Sequence, residues 1–347
     1  MLVLQKLLKS LGTIPTTTAW YLTDLAEARG KQELFTKQAP QRLRSWREHA
    51  IIESAVSSNR IEGVEIDGAR IGTVVFGKRI LQDRDEEEVR GYRTALSLIH
   101  AKTSRLKISE KTIRELHRLS RGEIWDAGKY KEKDSDIIEH TSDGRFRVRF
   151  VTVRARDTPK MMRSLIEAWG ESTRSRELQP LIALATFNLD FLCIHPFRDG
   201  NGRVSRLLLL LQCYHLGFGV GRYISLERII EENKERYYET LDLSSRGWHE
   251  GKSDPWPFIN FVLSVLRLAY KDFESRVGKD IPKRGEKREI IIAAIDQMKG
   301  PFRVADLQRA CPGVGLDHIR KSLARLRKEK KVKCLGRGQL AEWTKIE

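Results

Sequence analysis

Cysteine is scarce in this sequence and long apolar runs are absent, and these two features exclude several classes of protein. The cysteines are Cys193, Cys213, Cys311 and Cys334, and no two of them form a Cys-x-x-Cys pair, so neither a zinc site nor a disulfide framework is indicated. No segment approaches the roughly 18 consecutive apolar residues of a membrane-spanning helix. The first residues have too short an apolar core for a signal peptide. We therefore expect a cytoplasmic protein with no membrane partner.

The chain has 347 residues, enough for two or three domains with a substantial core. A hydrophobic content of 40% beside a charged content of 32% is typical of a folded globular protein. Lysine and arginine outnumber aspartate and glutamate by 64 to 47, which leaves a net charge of +17. Such an excess favours a polyanionic partner.

One polar string, His-Pro-Phe-Arg-Asp-Gly-Asn-Gly-Arg-Val-Ser-Arg over 195–206, interrupts two apolar segments that we predict to be helices. Gly200 and Gly202 allow a tight turn that brings amide N–H groups close to a ligand. At the start of a helix such amides form an anion site. Arg203 and Arg206 are three residues apart, share a helix face and can hold neighbouring phosphate oxygens.

The same string offers groups for chemistry on a phosphate. Asp199 supplies a hard oxygen that suits Mg²⁺ bridging phosphate groups. His195 suits the removal of a proton from an attacking hydroxyl near neutral pH. This short segment therefore indicates a nucleotide phosphate site, since it combines a base, a metal ligand, an anion cradle and two cations.

This string resembles the signature of the Fic (filamentation induced by cAMP) family, His-x-Phe-x-Asp/Glu-Gly-Asn-Gly-Arg-x-x-Arg, at every defined position. The resemblance implies a mostly helical fold and the transfer of AMP from ATP to a hydroxyl of a target protein. It implies that His195 is the general base and Asp199 the Mg²⁺ ligand. Phe197 would anchor the loop in the core, and Arg198 lies among the expected nucleotide contacts.

The resemblance also implies which motif residue contacts each phosphate of ATP. Asn201, together with the amides of Gly200 and Gly202, would cradle the α-phosphate. Arg203 would hold the β-phosphate and Arg206 the γ-phosphate.

A second string lies near the end of a helix predicted over about 41–63. Ser58 and Glu62 are four residues apart and share a helix face, and Gly63 is a natural stop. By spacing alone, Glu62 is a solvated residue at a polar helix end. The string also resembles the inhibitory helix of many Fic proteins, Ser/Thr-x-x-x-Glu-Gly/Asn. That resemblance implies that Glu62 pairs with Arg206, obstructs the γ-phosphate and keeps the enzyme inhibited.

The middle of the chain predicts helices near 88–103 and 109–121, and we read Glu86 to Glu88 as a solvated helix start. Alternating residues over 145–153, after a turn at 141–144, predict a β-hairpin. The residues alone are equally consistent with a plain surface hairpin. In the Fic family a hairpin here, the flap, registers the target's side chain by strand addition.

Beyond the motif, Ser225 is expected to cap one long helix that continues to Leu241. The family resemblance points to Asn233 and Tyr238 as nucleotide contacts. An aromatic pair on a helix is also typical of a core, so both interpretations of Tyr238 stay open.

The C-terminal region is strongly basic. From Pro282 to Glu347 there are 17 Lys/Arg against 8 Asp/Glu. Three predicted helices, the last over 316–330, and a small hairpin resemble a winged helix-turn-helix domain. Its solvent-facing cations suit duplex DNA, although contact with a protein is the alternative. The expected DNA contacts are Arg320, Lys321, Arg325, Lys328 and Arg337.

We therefore predict a mainly α protein. Its expected parts are an N-terminal helical region with the inhibitory helix (1–110), a Fic catalytic domain with a β-hairpin flap (111–277), a linker (278–287) and a winged-helix domain (288–347). The leading hypothesis is a protein adenylyltransferase that uses ATP and Mg²⁺ to modify a Ser, Thr or Tyr hydroxyl. Removal of AMP, transfer of another phosphate group, and a nucleotide-sensing DNA-binding regulator are the alternatives. The target and the oligomeric state, including a homodimer, stay open.

Overall fold

The structure is a computed structural model, and it describes most of the chain. The described residues are 1–38, 40–67, 70–76, 81, 83–122, 124–140, 146–175, 177–280, 288, 291–292, 294–295, 298, 300–311, 314–336 and 341–346.

The described chain is mainly α-helical, which confirms the predicted fold class. The helices before the motif are α1 (Val3–Lys9), α2 (Thr16–Gln38), α3 (Pro40–Ile61), α4 (Ile71–Phe76), α5 (Arg84–Lys102), α6 (Glu110–Arg121), α7 (Thr158–Ser175) and α8 (Pro180–Ile194). Those after it are α9 (Asn201–His215), α10 (Leu226–Glu232), α11 (Lys234–Ser245) and α12 (Trp256–Asp280). A hairpin of β1 (Ile137–His140) and β2 (Phe146–Phe150) precedes α7.

The chain divides into two compact units. The first contains residues 1–32 and 45–273, and the second contains 33–44 and 274–347. Most of the predicted N-terminal region and the predicted catalytic domain therefore lie in one unit. Helix α12 continues to Asp280, inside the range predicted as a linker, because no proline interrupts the chain between Val277 and Pro282. The rest of that predicted linker, 281–287, falls outside the described residues.

Helices α8 and α9 form the centre of the first unit. Every residue of α8 from Leu181 to Ile194 is buried, as expected of a helix that is apolar all round. Gln179 begins this helix, since its side-chain oxygen accepts from the amides of Leu181 (2.6 Å) and Ile182 (3.1 Å). The helix is thus held at its start and surrounded by packing, which fixes the position of the loop that follows it.

Asp190 is a fully buried carboxylate that ties the N-terminal helix to α8. It accepts from the amides of Val3 (3.0 Å) and Leu4 (2.9 Å) and from the indole nitrogen of Trp248 (2.7 Å). Burial raises the pKa of Asp190 to about 6, although these three donors act in the opposite direction. The carboxylate therefore compensates three buried N–H groups at once.

The helix predicted to run from Ser225 to Leu241 is in fact two helices. Ser225 does cap the first, accepting from the amide of Arg228 at 3.0 Å. The chain then leaves helical geometry at Asn233 (φ −119°, ψ 31°), whose amide bonds to the Ile230 carbonyl three residues back. This tightened turn separates α10 from α11, so the prediction of one continuous helix is wrong.

The predicted hairpin is present. Its strands are antiparallel, and Ile138 pairs with Val148 after a register shift at Ile137. The turn over 141–144 lies outside the described residues. Ile138 and Val148 are both more than half exposed, so this surface of the hairpin faces solvent.

The second unit contains α13 (Val304–Ala310), α14 (Leu316–Lys328) and a three-stranded antiparallel sheet. The strands are β3 (Phe302–Arg303), β4 (Val332–Cys334) and β5 (Glu342–Lys345), with β5 in the middle. Ile319, Leu323 and Leu326 of α14 are buried in a separate apolar core. The predicted contacts Arg320, Lys321, Arg325 and Lys328 are exposed on the opposite face, and Arg337 lies outside the described residues.

Within the described ranges, no helix has both the length and the apolar character needed to cross a lipid bilayer.

We expect Asp190→Ala to destabilise the first unit by about 3–5 kcal/mol, because three buried N–H donors lose their acceptor. Urea denaturation near pH 8, where the carboxylate is ionised, measures this change. Asp254→Ala is the matched control, since among the described residues its side chain accepts from the exposed amide of Trp256 at the start of α12, and its loss should cost no more than about 1 kcal/mol. An equal, small effect of both substitutions would contradict the role given to Asp190.

Candidate active site

The motif loop lies between the end of α8 and the start of α9, and His195 is its first residue. His195 ends α8 in the left-handed conformation (φ 53°, ψ 61°), and its amide bonds to the Phe191 carbonyl. Its ring nitrogen Nδ1 lies 3.2 Å from the carbonyl oxygen of Leu192. A carbonyl can only accept a hydrogen bond, so Nδ1 carries the proton and Nε2 keeps a lone pair. The imidazole can therefore accept a proton at Nε2.

Burial lowers the pKa of His195 to about 4, and the ammonium of Lys131 acts in the same direction. The bond to Leu192 and the carboxylates of Glu62 and Asp199 oppose this shift. The imidazole is consequently neutral at physiological pH, as proton removal from a hydroxyl requires.

Asn201 shapes the loop through its side chain. Its Oδ1 accepts from the amide of Phe197 (2.9 Å), and its Nδ2 donates to the carbonyl of the same residue (2.8 Å). Both ends of this amide are thus engaged within the chain. Asn201 therefore holds the turn, and the second proton of its Nδ2 remains as a donor beside the backbone amides at the start of α9, which have no partner inside the helix.

Phe197 is fully buried, as expected, and it has a partner that the sequence did not reveal. His117 stacks on its ring with centroids 3.8 Å apart and planes 2° apart. The Nδ1 atom of His117 accepts from the Gly128 amide (2.8 Å), so its Nε2–H donates to the Asp199 carbonyl (3.0 Å). Burial lowers the pKa of His117 to about 4, which keeps this neutral arrangement.

Gly200 and Gly202 occupy positions that exclude larger residues. Gly200 caps α9 with φ 78°, and a Cβ there would lie 2.9 Å from Arg121 Cδ. A Cβ on Gly202 would lie 2.2 Å from Oε1 of Glu62. The carboxylate of Glu62 thus rests directly against the backbone that the sequence identified as an anion cradle.

Arg206 is buried and bonds to the end of α3. Its Nη2 donates to Glu62 Oε1 (2.7 Å) and to the Ser58 carbonyl (2.8 Å), and its Nε donates to Ser58 Oγ (2.8 Å). Gly63 follows with φ 84° and turns the chain away after the helix ends. Burial acts to lower the pKa of Arg206, but Glu62 outweighs it and the pKa lies above its usual value. Nη1 of Arg206 is buried and has no hydrogen-bond partner among the described residues.

Arg203 is 1% exposed and is neutralised by a residue that the sequence analysis assigned to solvent. Its Nη1 donates to Glu88 Oε2 (2.5 Å) and to Asn59 Oδ1 (3.2 Å). Glu88 also pairs with Arg121 and is only 3% exposed. The prediction that Glu86 to Glu88 are solvated is therefore wrong for Glu86 and Glu88. Glu86 is 2% exposed and pairs with Arg70, because α5 turns this side inward.

Asp199 lies at the rim of the site, with its side chain 57% exposed. Its Oδ2 is 2.9 Å from Arg121 Nη1, and its Oδ1 is 3.9 Å from Arg203 Nη2. Burial acts to raise the pKa of Asp199, but the two arginines outweigh it and the pKa is lowered, so the carboxylate is ionised. The described residues contain no cluster of three metal-ligating side chains. A single exposed carboxylate fits a magnesium ion whose other ligands are phosphate oxygens and water.

A cavity of about 420 Å³ opens in front of His195. Its walls come from the motif, from the hairpin and from α11, and they include Glu62, Gly202, Arg198, Ile138, Arg149, Tyr237 and Tyr238. Arg149 reaches from β2 to Tyr238, donating to its carbonyl at 2.6 Å with its guanidinium 5.4 Å from the ring centroid. Tyr238 OH donates to the carbonyl of Ile61 at 3.2 Å.

Of the remaining predicted nucleotide contacts, two line the cavity and one does not. Tyr238 and Arg198 line the cavity, and Arg198 also lies over the ring of Trp125. Asn233 is not among the described residues that line it, and its amide group donates to the Ile229 carbonyl at 2.8 Å. Asn233 therefore contributes to the break between α10 and α11 rather than to the cavity wall.

Known proteins resemble this chain in sequence. The model of the Fic/DOC family matches residues 107–213, which include the whole motif loop. The protein adenylyltransferase Fic of Drosophila grimshawi is 27% identical over 234 residues, and that of Drosophila persimilis is 26% identical over 275. These matches cover 65% and 75% of this chain but only 43% and 48% of the relatives. The chain thus spans less than half the length of the curated relatives it matches.

Solved structures resemble its fold. A Fic family protein from Desulfovibrio desulfuricans G20 superposes with a TM-score of 0.62 at 23% identity, over 96% of this chain and 97% of that one. Fic-1 from C. elegans gives 0.59 at 20% identity, over 76% and 74%. The shared helical fold, the matched family model and the motif agree. Residues 107–213 therefore resemble a Fic domain in sequence, motif and fold.

Proposed function

We propose that this protein is a protein adenylyltransferase that is held inactive by Glu62. The observation that carries the proposal is the position of the Glu62 carboxylate, an anion bound by Arg206 against the backbone of Gly202. An anion of the chain itself thus occupies a cradle whose donors suit a phosphate. Nη1 of Arg206 is buried and has no hydrogen-bond partner in the described part of the chain, so it is a donor that the carboxylate leaves unused.

The cavity next to this cradle has the size and lining expected of a nucleotide site. Tyr237 and Tyr238 supply aromatic surface on one side, and the neutral His195 lies on another. ATP placed with its phosphates at the start of α9 would have its α-phosphorus near Nε2 of His195. The names of the Drosophila relatives support AMP as the transferred group.

The reaction follows from the tautomer of His195. Nε2 takes the proton of a Ser, Thr or Tyr hydroxyl of the target, and the oxygen forms a bond to the α-phosphorus as the bond to the pyrophosphate breaks. Base catalysis of this kind contributes about 10²–10⁴-fold. Asp199 would hold a magnesium ion, which supplies charge stabilisation to the phosphates when bound. Arg203, fixed by Glu88, adds a nearby positive charge.

Inhibition follows from competition for Arg206. A carboxylate and a phosphate both require the same guanidinium edge, and Glu62 is supplied at high effective concentration by α3. Glu62 is 27% exposed while Arg206 is 3% exposed, so the carboxylate can leave the cradle toward solvent while the arginine stays.

We expect Glu62→Gly to transfer AMP to protein and the wild type to transfer far less. The measurement uses ATP labelled on its α-phosphate, Mg²⁺ and a cell lysate. Glu62→Gly combined with His195→Ala should bind ATP yet transfer no label, because only the base is missing. Loss of ATP binding in a folded His195→Ala protein would contradict the role of base. An absence of label in every variant, with nucleotide binding intact, would favour another donor or the removal of AMP.

We also expect His195 to titrate well below an exposed histidine, at about 4, with Nδ1 protonated in the neutral form. Because burial disfavours the charged ring, the ring stays a base from neutral pH down to about 5 and is lost as a base below its pKa. Histidine-labelled NMR across this range gives the pKa and the tautomer, and His195→Ala identifies the resonance. A pKa near 6.5 would contradict this environment for His195.

We also propose that the second unit binds duplex DNA. The three-stranded sheet and the helices over 304–310 and 316–328 have the order of a winged helix-turn-helix, and α14 exposes five cations, the four predicted contacts and Arg327. Arg320 and Lys321 lie at the middle of that helix, and Arg325 and Lys328 follow toward its end. Contact with a protein is the alternative for the same surface.

Binding of this kind should depend on salt, because each phosphate contact releases a counterion. We expect Arg320→Ala with Lys321→Ala to weaken binding to any duplex and to reduce the salt slope by about 1–2. Fluorescence anisotropy with labelled DNA at several salt concentrations measures both quantities. No binding to DNA at low salt would favour the protein partner.

A further inference from the structure

The backbone of His195 is in an unfavourable conformation that its surroundings must maintain. Its φ of 53° lies in the left-handed region, which a residue with a Cβ seldom adopts. It also precedes Pro196, whose ring restricts the preceding residue to extended conformations. Such strain persists only where neighbouring groups hold the chain firmly. The peptide groups on both sides of His195 are therefore expected to have strong anchors.

Lys131 bonds to the chain on both sides of His195. Its backbone amide donates to the carbonyl of Pro196 at 2.9 Å, one residue after the histidine. Its side-chain Nζ donates to the carbonyl of Ile194 at 3.4 Å, just before the histidine. Lys131 is only 5% exposed, so these bonds lie away from water. One residue from a distant part of the sequence thus brackets the strained position.

The same ammonium also connects the loop to the hairpin. Nζ of Lys131 donates to the hydroxyl of Thr152 at 2.6 Å, and this hydroxyl donates to the carbonyl of Ser135 at 2.7 Å. A hydroxyl has one proton, so the Thr152 oxygen is oriented with its lone pairs toward the ammonium. Ser135 precedes β1 and Thr152 follows β2. Lys131 therefore joins the histidine loop to both ends of the hairpin.

We propose that Lys131 is a positioning residue that holds His195 in its strained conformation and fixes the base of the hairpin to the catalytic loop. This proposal rests on the proposed function, since it concerns the base of the same reaction. Lys131 acts through two carbonyls and a hydroxyl, without touching the reacting atoms. Its positive charge also disfavours protonation of the imidazole, while Glu62 and Asp199 are the carboxylates that act in the opposite direction.

The kinetic test uses Glu62→Gly as the parent, with Lys131→Met and Lys131→Arg added to it. We expect Lys131→Met to lower kcat for AMP transfer by about 10²-fold and to leave KM for ATP within about twofold, because a displaced base slows chemistry without removing the nucleotide site. Lys131→Arg keeps a charged donor and should recover part of kcat. Lys129→Met is the matched control, since Lys129 is exposed, lies two residues away and loses the same charge. It should leave kcat unchanged.

A second measurement does not depend on activity. In the wild-type background, Lys131→Met should raise the pKa of His195 above about 4, since removal of a positive neighbour favours the protonated ring. Lys131→Arg and Lys129→Met should leave it near the wild-type value. The pKa is read from histidine-labelled NMR, with thermal unfolding recorded for each variant.

The outcomes distinguish the positioning role of Lys131 from the proposed adenylyltransferase function. A Lys131→Met protein that is folded, with an unchanged kcat and an unchanged His195 pKa, overturns the positioning role. If Lys131→Met lowers thermal stability but leaves kcat per folded molecule unchanged, the positioning role is also overturned. If the parent itself transfers no AMP, the proposed function fails, and the NMR measurement still decides the role of Lys131.

Discussion

Two arginine side chains are buried at the start of α9, and the arrangement of the site depends on how their charges are compensated. Arg203 is 1% exposed and Arg206 is 3% exposed. A guanidinium removed from water must face an anion, or its desolvation is not offset. Arg203 faces Glu88, which lies within α5 and is itself buried. Arg206 faces Glu62, which lies just past the end of α3 and is partly exposed. The first ion pair is buried on both sides, and under the proposed function the second is the one that a ligand anion would replace.

The rest of the site is built before any ligand arrives. The Asn201 side chain fixes the turn, His117 stacks beneath Phe197, and Lys131 and Leu192 hold His195 with its proton on Nδ1. Oriented dipoles that need no rearrangement during a reaction stabilise developing charge most effectively. The Glu62 carboxylate lies against Gly202, and under the proposed autoinhibition the departure of this one side chain would open the cradle. Glu62 lies just past the end of α3 and is partly exposed, so the proposed movement would disturb few contacts.

Short-range features of this chain were predictable, and the reasons are local. The apolar segments around the motif gave α8 and α9, and the alternating residues gave the hairpin, because side-chain periodicity reflects burial. Glu88 was assigned to solvent because three consecutive glutamates resemble a helix start. It nevertheless continues the buried stripe of Tyr92, Ala95 and Ile99 at helical spacing, and this pattern was the signal that could have placed it inside. The break at Asn233 had no such signal, because a tightened turn between two amphipathic helices leaves the periodicity almost intact.

The sequence by itself determined the chemistry that the motif can offer. His195, Asp199, the two glycines and the two arginines are adjacent in the chain, so their proximity follows from covalent geometry and one helix turn. Only the tertiary structure decided which of these groups is bonded to another residue of the chain and which can face a ligand. The partners Glu62, Glu88, His117 and Lys131 lie 63 to 144 residues away in the sequence from the residues in or next to the motif that they bond to, and no local pattern encodes such pairings. Burial then made each pairing obligatory, because an uncompensated charge or N–H group inside the protein is far more costly than one at its surface.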